Sequence, residues 1–302
     1  MKKVAVLLIA LLSLEVAVVS FAQETSSPPK ALSTTSGQQK RSTIVEAHGY
    51  VFLSEDKTIR QLREEALAEA KRKALEQAQT YIKSFTQVEN YTLTYDLIQS
   101  ETEGYLKILE SKDYGIESDN RYHYWIKAEI EYELKKPETS IKSFSILHNP
   151  KAPLTVDVWT EKASYIEGEE IRIFLKGNKP FYARVVYVDA QRQIVQLLPN
   201  KYRQLNFFDA GTIYTIPGPG DRFKLTVRPP YGREQVIVYA SSAPQAALTM
   251  TEIGNGLYQY RGNLAKLGMK VRGVEISKST SGVGGVEFYE ASWNLVTKSR
   301  EE

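Results

Sequence analysis

The chain contains no cysteine, which removes disulfides, zinc-thiolate sites and thiol nucleophiles together. It also removes lipid attachment at a cysteine just past a leader. Stability must therefore come from burial, and a chain of 302 residues has enough of it for two modest cores. Histidine is scarce: His48, His123 and His148 are the only three. Charge of either sign is not in excess, with 39 Lys and Arg against 36 Asp and Glu and a net of +3. No nucleic acid or strongly charged polymer is expected as a partner. The long apolar run lies at the start, where Lys2 and Lys3 precede Val4 to Leu14 and Val16 to Val19, with Ser20-Phe21-Ala22 behind them. Glu15 interrupts that run, and a spanning helix needs about 20 apolar residues. The pattern predicts a secretory signal peptide over 1–22 with cleavage after Ala22, and hence a periplasmic or extracellular protein with no stable membrane anchor.

Motifs that carry chemistry are also missing. Gly218-Pro219-Gly220 and Gly282-Val283-Gly284-Gly285 do not have nucleotide-loop spacing and read as turns. Ser241-Ser242 has no glycine elbow around it. The pairs Glu64-Glu65, Glu101 with Glu103, and Glu169-Glu170 are neighbours along the chain, whereas a glycosidase needs carboxylates that face each other across a cleft. No third ligand has local spacing with His48 and His123 to make a zinc site. No catalytic residue, metal or cofactor is expected.

What remains is a patterned α+β chain. Residues 23–42 are Ser, Thr, Pro, Gln and Lys with almost no large apolar side chain, which predicts a tether. A second break falls at 148–153, where His148-Asn149-Pro150-Lys151-Ala152-Pro153 carries two prolines. The folded parts are then an α+β domain at 43–147 and a mainly-β, sandwich-like domain at 154–298. In the first, Val45, Ala47, Gly49, Val51 and Leu53 alternate along a strand. Thr58 and Gln61 then form a capping-box pattern ahead of Ile59, Leu62, Ala66, Ala70, Ala74, Ala78, Ile82 and Phe85. That spacing predicts one long helix on an antiparallel sheet. The window 88–99 is ambiguous, and strands follow at 104–110 and 122–134 around a turn at 113–120. In the second part, strands are predicted at 154–160, 170–176, 183–189, 194–198, 212–216, 223–227 and 235–240. A helix near 257–267 closed by Gly268 follows, then a last strand at 286–297.

Several segments of the second part occur in one family's order. They are Gly168-Glu169-Glu170-Ile171-Arg172-Ile173, Phe181-Tyr182-Ala183-Arg184-Val185-Val186-Tyr187-Val188-Asp189, Leu197-Leu198-Pro199-Asn200, Gly211-Thr212-Ile213-Tyr214-Thr215-Ile216-Pro217, and Pro229-Pro230-Tyr231-Gly232-Arg233-Glu234. Together they resemble the bacterial domain-of-unknown-function family 4384. The resemblance implies a β-rich accessory module of exported proteins with no assigned catalytic site. The family commonly has a glycine after Asp189; here the run is Asp189-Ala190-Gln191-Arg192, so either the turn type differs or Arg192 is strained. The pattern over 45–134 is similar to the N-terminal domain of the flagellar assembly protein T and related small envelope lipoproteins.

Alternation places His48, Tyr50 and Phe52 on the side of the first strand away from its small residues, and His123 and Trp125 opposite the apolar row Tyr122, Tyr124, Ile126, Ala128. If the helix covers the small side, these aromatics share an open face, and an exposed aromatic cluster marks a contact surface. The alternative is that the second domain, the 91–99 segment or a partner subunit covers them. Tyr231 and Arg233 are further candidates, on a stiff loop that presents side chains at low entropic cost. Glu234 is placed to pair with a nearby base. The sequence thus points to a non-catalytic module that binds an envelope protein. A glycan binder using Trp125, Trp159 or Trp293 is the alternative, and an envelope hydrolase has least support.

Overall fold

The computed structural model describes residues 39–89, 92–93, 105–135, 150–273 and 285–301. The expected leader and cleavage site, the expected tether up to residue 38, most of the 88–99 window, residues 148–149 and the glycine run at 282–284 lie outside them. The first half is built from β1 (Lys40–Phe52), α1 (Ile59–Glu89), β2 (Thr92–Leu93), β3 (Leu106–Ile116), β4 (Arg121–Tyr132) and β5 (Leu134–Lys135). The second half contains β6 (Val156–Thr160), β7 (Ser164–Ile166), β8 (Ile173–Gly177), β9 (Phe181–Val188), β10 (Ile194–Leu198), β11 (Phe207–Phe208) and β12 (Tyr214–Ile216). It continues with β13 (Arg233–Ser241), β14 (Thr251–Gly254), β15 (Leu257–Tyr260), α2 (Leu264–Val271) and β16 (Val286–Lys298).

The capping box forms as the sequence predicts. Thr58 N–H donates to Gln61 Oε1 at 2.8 Å and Gln61 N–H donates to Thr58 Oγ1 at 3.3 Å, satisfying two otherwise orphaned helix-start donors. The helix then buries Leu62, Ala66, Ala70, Ala74, Ala78 and Ile82 against Val45, Ala47, Ile126, Ala128 and Ile130. The alanine stripe lets the two backbones nearly touch. A Cβ added to Gly49 would stand 1.8 Å from the carbonyl oxygen of Ala66, so no side chain fits there.

The large sheet does not divide at 148–153. Its order is β14-β15-β10-β9-β13-β16-β1-β4-β3, and β16 is the joint: it pairs with β13 along one edge and with β1 from Lys40↔Glu290 to Ile44↔Val286 along the other. The described residues accordingly belong to one compact unit. Residues 40–42, expected in the tether, are strand residues of β1. On one face of this sheet lie α1 and, beside it, the smaller sheet β12-β8-β6. The smaller sheet encloses Trp159, Phe174, Phe181, Val185, Val238, Tyr289 and Trp293 in the sandwich-like core. On the other face α2 packs over Ile44, Val186, Ile237, Tyr239 and Phe288.

Several local expectations change, and one open alternative is decided. The turn between β3 and β4 is shorter, with Asn120 in the left-handed region at φ 59, because β3 runs on to Ile116 through two bulges. Residues 223–227 make an isolated bridge, Glu170↔Thr226, rather than a strand. Residues 257–260 are strand, and α2 starts only at Leu264, after the N-cap Asn263, whose side chain accepts from Lys266 N–H. Gly268 lies inside that helix and is buried. Arg192 takes the strained option: it sits at φ 65 while Asp189 Oδ1 accepts from Gln193 N–H at 2.8 Å and closes the turn.

Candidate functional site

Residues opposite one another in an antiparallel pair send their side chains to the same face. The register of β1 and β4 sets His48 opposite Trp125 and Tyr50 opposite His123, on the face that α1 does not cover. His123, buried, is the centre of the group. Its ring stacks at 4.4 Å on Tyr50 and at 4.4 Å on Tyr114 of β3. Its Nδ1 lies 2.6 Å from Glu117 Oε1, and its Nε2 lies 2.8 Å from Nδ1 of the exposed His48. A carboxylate only accepts, so Nδ1 of His123 carries the proton; with His123 neutral, its Nε2 then accepts from His48 Nδ1–H. The result is a chain from turn to β4 to β1. Burial, followed by the His123 ring, holds the His48 imidazole below its ordinary value; Lys73 acts the same way, and Glu46 and Glu117 oppose them.

Cations close the ends of the stack. The Arg121 guanidinium sits 4.5 Å over Tyr50, and Lys112 Nζ sits 4.3 Å over Tyr114. Around this end of the sheet, large apolar side chains reach solvent. Phe52 is 73% exposed, Ile59 63%, Ile116 50%, Tyr114 45% and Leu53 38%. The sequence supplied His48, Tyr50, Phe52, His123 and Trp125 for this face. It missed Tyr114 and Glu117; exposed Ile116, opposite Tyr122 in the register, belongs to the α1 side of the same end.

The far end of the same face is closed. Arg272, just past α2, donates from Nε to Glu129 Oε1 at 2.5 Å and from Nη2 to Glu290 Oε2 at 2.9 Å, and it lies 4.7 Å over the Phe288 ring. Ser42 Oγ donates to the same Glu129 oxygen at 2.6 Å. On the α1 side, buried Glu287 accepts from Tyr81 and, at 2.8 Å, from Lys179, so a helix of the first half is tied to a loop of the second. These carboxylates hold elements together.

Tyr231 and Arg233 are not brought to the aromatic group, because β16 and β1 separate β13 from β4. Tyr231 is half-buried and bonded to Glu167; Arg233 is exposed. Glu234 takes hydroxyl donors instead of the expected base. Tyr187 donates to one of its oxygens and Thr297 Oγ1 to the other at 3.0 Å, and burial raises its carboxyl above the usual range. It lines a cleft of about 170 Å³ with Tyr187, Asp189, Arg228, Pro229 and Pro230. A neighbouring cleft of about 500 Å³ is lined by Glu170, Arg172, Pro217, Pro219, Phe223 and Lys224. Arg184 is buried without a carboxylate: it is held by Gln196 and the Ala246 carbonyl, and burial pushes its guanidinium down to about 10.

Other sequence candidates resolve into ordinary surface and core. Glu64 pairs with Arg60, Glu65 with Lys57, Glu169 with Lys162 and Glu170 with Lys224. Trp159 and Trp293 are core residues, 5% exposed each, which leaves Trp125, half-buried, as the tryptophan on the open face. Among the described residues, no group of three or more His, Asp or Glu is placed to hold a metal ion, and no helix is long and apolar enough to cross a membrane. No curated protein matches the chain. Residues 164–244, from the start of β7 to the turn after β13, match the family model described as Domain of unknown function (DUF4384).

Proposed function

We propose that this chain is an exported, non-catalytic interaction module that engages an envelope protein through the β1–β3–β4 end of its sheet. One observation carries the reading: at this end of the sheet Phe52 and Tyr114 reach solvent on the open face, where Trp125 is half-buried, and Leu53, Ile59 and Ile116 reach it at the same end of the fold. Large apolar side chains gathered at one exposed end of a folded surface mark a contact site. Both nitrogens of His123 are engaged within the group, which suits a positioning role better than proton transfer to a substrate. A glycan reading is supported less. Sugars stack on open ring faces, whereas Tyr50 and Tyr114 spend theirs on His123 and on cations, and two of the three tryptophans are in the core.

A photo-crosslinker at position 52 or 116, used in cells, should capture a discrete protein, while one at exposed Arg233 captures none. Trp125→Ala should weaken that capture by the equivalent of about 2 kcal/mol, as for aromatics at an interface centre. A melting temperature lowered by the several kcal/mol of a core tryptophan, with capture by the folded fraction unchanged, would assign Trp125 to the core instead. Retention on purified cell wall without a protein adduct would favour the glycan reading.

A further inference from the structure

We propose that the Glu117–His123–His48 chain is a proton-operated latch that fastens the β3–β4 turn to β1 near neutral pH and releases it in acid. Glu117 belongs to the turn, His123 to β4 and His48 to β1, so the two links at 2.6 and 2.8 Å cross three successive pieces of chain. The inference goes beyond the partner reading and holds whether or not anything docks on this face.

The direction follows from counting nitrogens. In the neutral chain His123 Nδ1–H donates to Glu117 and His48 Nδ1–H donates to His123 Nε2. The remaining ring nitrogen, Nε2 of exposed His48, takes the first extra proton and leaves both links intact. A further proton must go to His123 Nε2, which sets two N–H groups against each other at a spacing where one must accept. The link then parts. Every charged neighbour bears on this balance. On β1, Glu46 favours the charged His48, and Lys127 of β4 stands opposite Glu46 in the register. From α1, Lys73 donates to the His48 carbonyl at 3.2 Å and opposes the proton. In the turn, Glu117 favours it, while Asp119 is bonded to Arg121 at 2.7 Å and that guanidinium lies on Tyr50. On β3, Lys112 lies on Tyr114, and the phenols of Tyr50 and Tyr114 complete the enclosure. Because the latch sits beside Phe52 and Ile116, its release changes how that rim is presented.

The test is histidine nitrogen NMR together with amide exchange on the full chain. At pH 7.5 both His48 and His123 should show the Nδ1–H tautomer. Amides of 117–121, corrected for intrinsic rate, should exchange at least tenfold faster at pH 4.5 than at pH 7.5. His48→Phe keeps a ring beside Tyr50 and removes the link, so its turn should exchange fast at both pH values. An Nε2–H tautomer on His48 in the wild type, or turn exchange unaffected by both acid and His48→Phe, overturns the latch. The tautomer measurement needs no variant and decides the matter even if His48→Phe fails to fold.

Discussion

The two faces of the β1–β4 pair are held by opposite means. Under α1, contact is made by subtraction: Gly49 and the alanines Ala66, Ala70, Ala74 and Ala78 remove side chain until backbones meet. On the other face contact is made by specific pairs, with Arg272 locking Glu129 and Glu290 at the closed end and His123 joining Glu117, His48 and two tyrosine rings at the open one. The first face therefore tolerates no added volume where Gly49 meets the helix. The second tolerates shape changes at its open end and is sensitive to charge.

The largest effect should come from the closed end. Arg272→Ala leaves Glu129, 1% exposed, without its cation, and breaking a buried pair from one side costs about 3–5 kcal/mol. Denaturant unfolding checks the size. Replacing both partners with apolar residues, Arg272→Met with Glu129→Leu, should recover most of the loss; if it does not, packing rather than charge holds this end. Gly49→Ala comes next. Its methyl would meet a helix carbonyl, and overpacking of this kind costs about 1–3 kcal/mol, seen as a lower melting temperature. Tyr50→Phe, one residue along on the opposite face, should stay within about 0.5 kcal/mol. Equal losses from the two would erase the distinction between the faces.

The sequence showed the faces and not the neighbours. Alternation and three-to-four spacing are local, and both survived: α1 covers Val45 and Ala47, and His48, Tyr50, His123 and Trp125 share the other side. Pairing of residues 40–44 with 286–290 spans nearly the whole chain and leaves no local periodic signal, so a proline-rich break at 148–153 looked like a boundary between domains. Tyr114 and Glu117 were missed for a different reason. The bulges at Ile108/Glu110 and Asp113/Gly115 reset the alternation of β3, and the stretch read as a turn. Gly268 looked like a helix stop, since glycine is common there. In the structure it is a close-packing position, where a Cβ would meet Arg272 Nη1 at 2.7 Å.

The smallest predicted effect belongs to the open end. The folded state depresses His48, so between its folded value and about 6.5 the unfolded chain binds more protons. Its contribution to stability is complete above that range and is lost as pH falls through the folded value. A shallow decline in stability from pH 7.5 to 5 should flatten in His48→Gln. A slope that stays unchanged in the variant would move the proton sensitivity to another group.

The position of β16 sets a timetable for synthesis. Strand β1 is made early, yet the neighbour that shields its Lys40 to Ile44 edge is residues 286–290. Until those residues emerge, both that edge and the matching edge of β13 stay open, and contacts so distant in sequence form slowly. Unpaired strand edges are where nascent chains aggregate. A chain stopped before residue 286 would thus lose one strand and expose two edges, becoming sticky rather than merely shorter.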